Sequence, residues 1–226
     1  MILSLEREEL KEYTSKQLNF FFPDPYAVDL KDYKTAFDLA IDRLEYCFDE
    51  VSSPRYKKEN QSYVNHLYSD HYVMYLWFLS NTIWKETENS NLASKLYCLN
   101  KALHSFDCMY NTALPNIFLA FHNSGTMLGK AEYSDYFVAL QGCTIGSHKG
   151  KYPKLGKGVS LTAHSSIIGD CEVGDRVSIS AYTSIFEKKV PSDTVVFKNN
   201  TNGAVEMKPS NNCYAQQFFN IDLKTL

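Results

Sequence analysis

The chain has 226 residues, 44% of them hydrophobic and 14% aromatic, enough for one large domain or two small ones with real cores. Its formal charge of −3 and the lack of any Lys/Arg stripe argue against nucleic acid as the main partner, because phosphate binding needs concentrated positive charge. The N-terminus turns charged within six residues, unlike a signal peptide, and the longest apolar segment, 72–79, is too short for a bilayer, so a cytoplasmic protein with no transmembrane segment is expected.

Apolar residues recur at helical spacing in three places in the first half. They are Phe37, Ala40, Ile41, Leu44 and Phe48; then Tyr72, Leu76, Leu79 and Ile83; then Leu92, Leu96, Leu99 and Leu103. Asn89 or Ser90 is placed to cap the third helix. Pro23, Pro25 and the SSPR stretch at 52–55 break the chain. The aromatics Tyr72, Tyr75, Trp77, Phe78 and Trp84 predict a core or a subunit contact. Cysteines at 47, 98, 108, 143, 171 and 213 form no CxxC pair, so reduced, mostly buried thiols are expected and their spacing supports no zinc site.

After about residue 107 helical spacing vanishes. From Leu155 a period of six takes over, opened in turn by Leu155, Leu161, Ile167, Val173, Ile179 and Ile185. Val159, Ser165, Cys171, Val177 and Thr183 recur one place before the end of each hexad. Such a period marks a parallel β-helix, with each hexad forming one face of a triangular coil, aliphatics inward and small residues easing the corners. The segments starting at 128 and 140 are less regular versions. Residues 146–154, GSHKGKYPK, fit no hexad and read as an excursion loop. The predicted organisation is α+β: a helical part at 1–106, a left-handed parallel β-helix at 107–197, and a tail at 198–226.

A helical N-terminal part followed by a hexapeptide coil with one excursion loop resembles the serine acetyltransferase family. Segments 114–131, 140–161 and 167–185 carry the likeness, within about residues 90–195. The resemblance implies transfer of acetyl from acetyl-CoA to a hydroxyl. It also implies His122 as general base and Asp107, fifteen residues earlier, as the carboxylate that holds the imidazole. An imidazole with an ordinary pKa near ~6.5 can accept a proton at neutral pH, and a carboxylate on its other nitrogen fixes the tautomer. For acetyl-CoA the resemblance points to Gly146, Ser147, Ala163 and Ala181 along the pantetheine arm. Small residues are also what β-helix corners need. Lys149, Lys151 and Lys154 are placed either to meet CoA phosphates or an acidic acceptor, or simply as solvated loop charges. A homotrimer or a dimer of trimers is implied. Histidine-bound zinc occurs in other trimeric β-helix proteins, but His122, His148 and His164 lack the paired spacing, and no metal is expected.

Two departures concern the acceptor. The family has an aspartate just before the base and an Arg-His pair before the loop proline. Here Phe121 takes the first place, and Lys151 and Tyr152 precede Pro153. Phenylalanine cannot pair with an ammonium, and lysine lacks the fork that grips a carboxylate. The expected acceptor is therefore a sugar hydroxyl, of a surface polysaccharide or a nucleotide sugar, with Phe121, Lys151 and Tyr152 as candidate acceptor contacts. Serine O-acetylation is the alternative, and a non-catalytic assembly protein a further one.

Overall fold

Four α-helices open the chain in a computed structural model that describes residues 1–226: α1 (Arg7–Phe21), α2 (Lys34–Asp49), α3 (Ser69–Thr87) and α4 (Ser90–His104). The last three realise the periodic segments at 37–48, 72–83 and 92–103. Helix α1 has a weaker apolar stripe, burying Leu10, Thr14 and Leu18, and starts with a reciprocal cap between Glu6 and Glu9. Its polar composition hides it from a periodicity argument. Asn89 caps α4, its side chain accepting from the Leu92 N–H at 3.0 Å. Helix α3 is buried continuously from Asp70 to Ile83, so most of the aromatic density is core. A small sheet, Ile2–Leu3, Gln61–Val64 and Lys57–Lys58, was not legible because its strands are so short.

The β-helix begins at Phe106–Asp107 and winds through three faces. The first face stacks Phe118–Ala120, Phe137–Ala139, Ser160–Leu161, Ser178–Ile179 and Thr194–Lys198 in parallel. The second stacks Phe106–Asp107, Thr126–Leu128, Thr144–Gly146, Ser166–Ile168 and Ser184–Phe186. The third holds Lys154–Leu155, Glu172–Val173 and Lys189–Val190. Ser160 pairs with Ser178 and Ser166 with Ser184, eighteen residues apart, which is three hexads per turn. The aliphatics Leu161, Ile167, Ile179 and Ile185 are wholly buried, as the inward-facing reading requires.

Two details differ from expectation. Ser165, Cys171 and Thr183 do not ease the corners; they are buried and fill the coil beside the aliphatics. The corners use left-handed backbone, at Gly142, Gly158 and Gly169 but also at His164, Arg176 and Tyr182. The excursion is also small. Thr144 pairs with Ser166, twenty-two residues on rather than eighteen. The extra residues form a tight hairpin in which His148 and Lys151 exchange backbone hydrogen bonds of 2.9 and 3.1 Å across Lys149 and Gly150, both at positive φ.

The tail turns back. Val205–Pro209 pairs antiparallel with Thr194–Lys198. Residues 213–219 then run along the outside of the first face to the helical part, where Val51 bridges Phe219.

Candidate functional site

The carboxylate at His122 comes from α3, not from the coil. Asp70 lies in the first turn of that helix, where the exposed peptide N–H groups favour negative charge. Its Oδ1 accepts the backbone N–H of His122 at 2.8 Å, and its Oδ2 stands 3.4 Å from Nδ1 of the ring. That second distance is ion-pair range, longer than an ordinary hydrogen bond; such contacts are commonly loose before substrate binds. The Asp70 side chain is 4% exposed and that of His122 57%, so a buried carboxyl group stands behind an imidazole open to solvent. Burial raises the Asp70 pKa from the ordinary carboxylate value, and His122 together with hydrogen bonds from the His122 backbone, Tyr68 and the Asn123 backbone opposes that rise. The Tyr68 hydroxyl donates to Oδ2 at 3.2 Å, and Arg55 Nη1 donates to the Tyr68 oxygen at 3.2 Å. A polar chain thus runs Arg55–Tyr68–Asp70–His122.

Asp107 is placed elsewhere. It accepts from Tyr97 at 2.7 Å and from Lys101 at 2.7 Å, both on α4. Partial burial works against its ionisation, but these two donors outweigh it and hold the carboxyl below its ordinary pKa. The expectation that Asp107 orients His122 is corrected: it has its own partners, and α3 supplies the carboxylate. Sequence reasoning missed Asp70 because 52 residues separate it from His122, and nothing local distinguishes it from any acidic residue in a first helical turn.

Ala163 and Ala181 lie side by side at one corner, the Tyr182 N–H reaching the Ala163 carbonyl at 3.0 Å. His122 precedes that same corner, where the Gly142 N–H reaches the Ser124 carbonyl at 2.9 Å. At about 4.8 Å per coil, Ala163 is two coils and Ala181 three coils along the edge from His122, on the order of 10–15 Å. A cavity of about 450 Å³ lies beside Ala181, lined also by Thr162, Ser180, Cys213 and Tyr214. Gly146 and Ser147 stand at the next corner, across the width of the second face. The four proposed cofactor positions therefore form two sets, which a single chain does not bring together.

The acceptor candidates separate in the same way. Phe121 is beside His122, the two ring centroids 4.1 Å apart. Lys151 and Tyr152 are exposed on the hairpin at the far corner, and Lys151 pairs with Asp170 at 3.1 Å. The three histidines weighed for a metal stand apart: His122 with Asp70, His148 with Glu187 at 2.9 Å, and His164 stacked on Tyr182 at 5.0 Å.

A parallel β-helix of hexapeptide turns behind a helical N-terminal part is the fold of the hexapeptide-repeat transferases, and this chain has it. Solved structures with the same fold are serine acetyltransferases. That of Brucella abortus strain S19 is 18% identical, covering 92% of this chain and 85% of its own, with a TM-score of 0.67. That of Neisseria gonorrhoeae is 16% identical over 94% and 85%, with a TM-score of 0.65. A serine acetyltransferase in complex with CoA is 18% identical over 85% and 82%, with a TM-score of 0.62. No protein-family model and no curated protein sequence matches the chain.

Proposed function

We propose that the protein is an acetyl-CoA-dependent O-acetyltransferase whose acceptor is a sugar hydroxyl. The observation that carries this is the exposed His122 imidazole backed by the buried Asp70 carboxylate, at the edge that continues into Ala163 and Ala181. In this reading the free ring nitrogen takes the proton from the acceptor hydroxyl as its oxygen attacks the thioester carbonyl. The resulting imidazolium, stabilised by Asp70, returns that proton to the departing CoA thiolate. Ala163 and Ala181 leave room at the corner for the thin pantetheine arm.

A zwitterionic acceptor finds little here. Phe121 offers no charge, Lys151 is held by Asp170 at the far corner, and Asp70 is already engaged by the His122 backbone, Tyr68 and the imidazole. Serine O-acetylation is the second reading, favoured by the names of the structural neighbours. A trimer belongs to the proposal, because Gly146 and Ser147 join Ala163 and Ala181 only if the edge of one coil meets a different edge of its neighbour. A cytoplasmic site of action goes with use of acetyl-CoA, and no helix is long and apolar enough to cross a membrane.

The test is thiol release from acetyl-CoA with a panel of sugar acceptors and with L-serine. His122→Ala is expected to lower turnover at least about a hundredfold while the KM for acetyl-CoA holds. Turnover within about twofold of the native enzyme would remove His122 from the mechanism.

A further inference from the structure

A cleft of about 420 Å³ opens beside Phe121, and three segments far apart in the chain build it. Ser53 and Tyr56 come from the turn after α2, Leu119 and Phe121 from the first coil strand and the residue after it, and Gln217 and Phe218 from the tail. The tail is pinned in place. The Ser52 N–H donates to the Phe218 carbonyl at 2.9 Å and its hydroxyl to the Gln217 carbonyl at 3.0 Å, while the Asn220 N–H reaches the Glu50 carbonyl at 2.8 Å. Phe121 forms the boundary with the catalytic histidine, its ring sandwiched between His122 at 4.1 Å and Phe218 at 5.3 Å.

The chemistry of the lining is specific. No charged side chain contributes to it; it offers aromatic and aliphatic surface, serine hydroxyls and one primary amide. Tyr56 in its wall is wholly buried and contributes packing surface. An ion placed in this cleft would lose hydration without gaining a counter-charge. A pyranose ring suits it, with C–H faces for the aromatic and aliphatic surface and hydroxyls for Ser53 and Gln217.

We propose that this cleft binds an uncharged sugar ring of the acceptor, the neighbour of the ring that presents its hydroxyl to His122. The inference rests on the reading of His122 as the base of O-acetyl transfer and extends it: the acceptor is a glycan of at least two linked sugars, held by a ring that does not react. Binding energy from such a remote ring serves to orient the reacting hydroxyl.

Binding is measured on the full chain by ligand-observed NMR, independently of turnover, with lactose, maltose, cellobiose and N,N′-diacetylchitobiose as probes and L-serine as competitor. At least one disaccharide is expected to bind, and L-serine not to displace it. Gln217→Ala, at an exposed position, and Ser53→Ala are each expected to weaken binding about five- to tenfold, the loss of one hydrogen bond. Phe121→Ala, with folding checked by circular dichroism, is expected to abolish it, and acetyl-CoA binding to stay unchanged in all three variants. Failure of all four disaccharides to bind, equal binding by the native protein and the variants, or displacement by L-serine overturns the proposal. The catalytic reading fails on a different result, acetyl transfer that survives His122→Ala.

Discussion

At the scale of single residues, the proposed base His122 stands against a carboxyl group that the fold holds buried. Burial pushes the Asp70 pKa up, so the folded state disfavours its charge relative to the unfolded chain. A carboxylate with a raised folded pKa contributes stability below its unfolded value, and that contribution is lost as pH rises through the folded one. At neutral pH Asp70 therefore works against stability while serving the site. Asp70→Asn is expected to leave the melting temperature unchanged or higher, and to lower kcat about a hundredfold or more, since the imidazolium loses its counter-charge. Asp107→Asn, which disturbs only Tyr97 and Lys101, is expected to keep kcat within about threefold. The opposite ranking of the two variants in steady-state kinetics would return the role to Asp107. In the proposed mechanism Tyr68, which donates to Asp70, is a positioning residue one step further back. Tyr68→Phe removes a donor to Asp70 and is expected to reduce kcat about three- to tenfold with the KM for acetyl-CoA unchanged.

At the scale of the element, the coil is constrained most tightly where turns of backbone nearly touch. A Cβ on Gly156 would lie 2.5 Å from Asp175 Oδ1 and 2.7 Å from the backbone of both Gly174 and Asp175. Backbone in a regular stack cannot give way at one coil without disturbing the next. Gly156→Ala is therefore expected to cost about 1–3 kcal/mol and to lower the melting temperature by roughly 3–10 °C, read by calorimetry. An unchanged melting temperature would show that the coil yields locally. The corners are more permissive. Arg176 holds a left-handed backbone, φ 57°, and its guanidinium is clamped by Asp193 at 2.7 and 2.9 Å. A fixed side-chain partner on the next coil offsets the roughly 1–2 kcal/mol that a side chain costs in that conformation.

Stability of the whole molecule is tied to pH through two histidines of the helical part, His71 buried and His104 half-buried at the end of α4. Burial lowers the pKa of both His71 and His104 from 6.5 to about 4. His71 accepts the Asn65 N–H at 3.0 Å on one ring nitrogen and has no partner for the other. The folded state favours the neutral form of each ring, and below pH 6.5 unfolding is accompanied by proton uptake. Stability is thus fully present above about pH 6.5 and is lost progressively as pH falls toward 4. Denaturant titrations between pH 6 and 4.5 are expected to show stability falling by up to about 1.4 kcal/mol per pH unit for each histidine. A flat profile there would mean that neither ring is held neutral by the fold.

The hexad aliphatics determined the coil by themselves, because an inward-facing residue every six positions admits no helix and no simple alternating strand. The spacing of Phe37 to Phe48, Tyr72 to Ile83 and Leu92 to Leu103 determined three of the helices in the same way. His122 and its neighbour Phe121 drew notice together because they are adjacent in one short motif of the chain. What is local, or repeats at a fixed interval, can be read from sequence. Tertiary structure alone decided that Asp70 rather than Asp107 stands behind the imidazole, that Lys151 lies a full coil face away from Phe121, and that Gln217 and Phe218 return to close a cleft on Phe121. Each of these depends on how α3, the hairpin and the tail dock against the coil, and side-chain packing across long separations leaves no period in the sequence from which to read it.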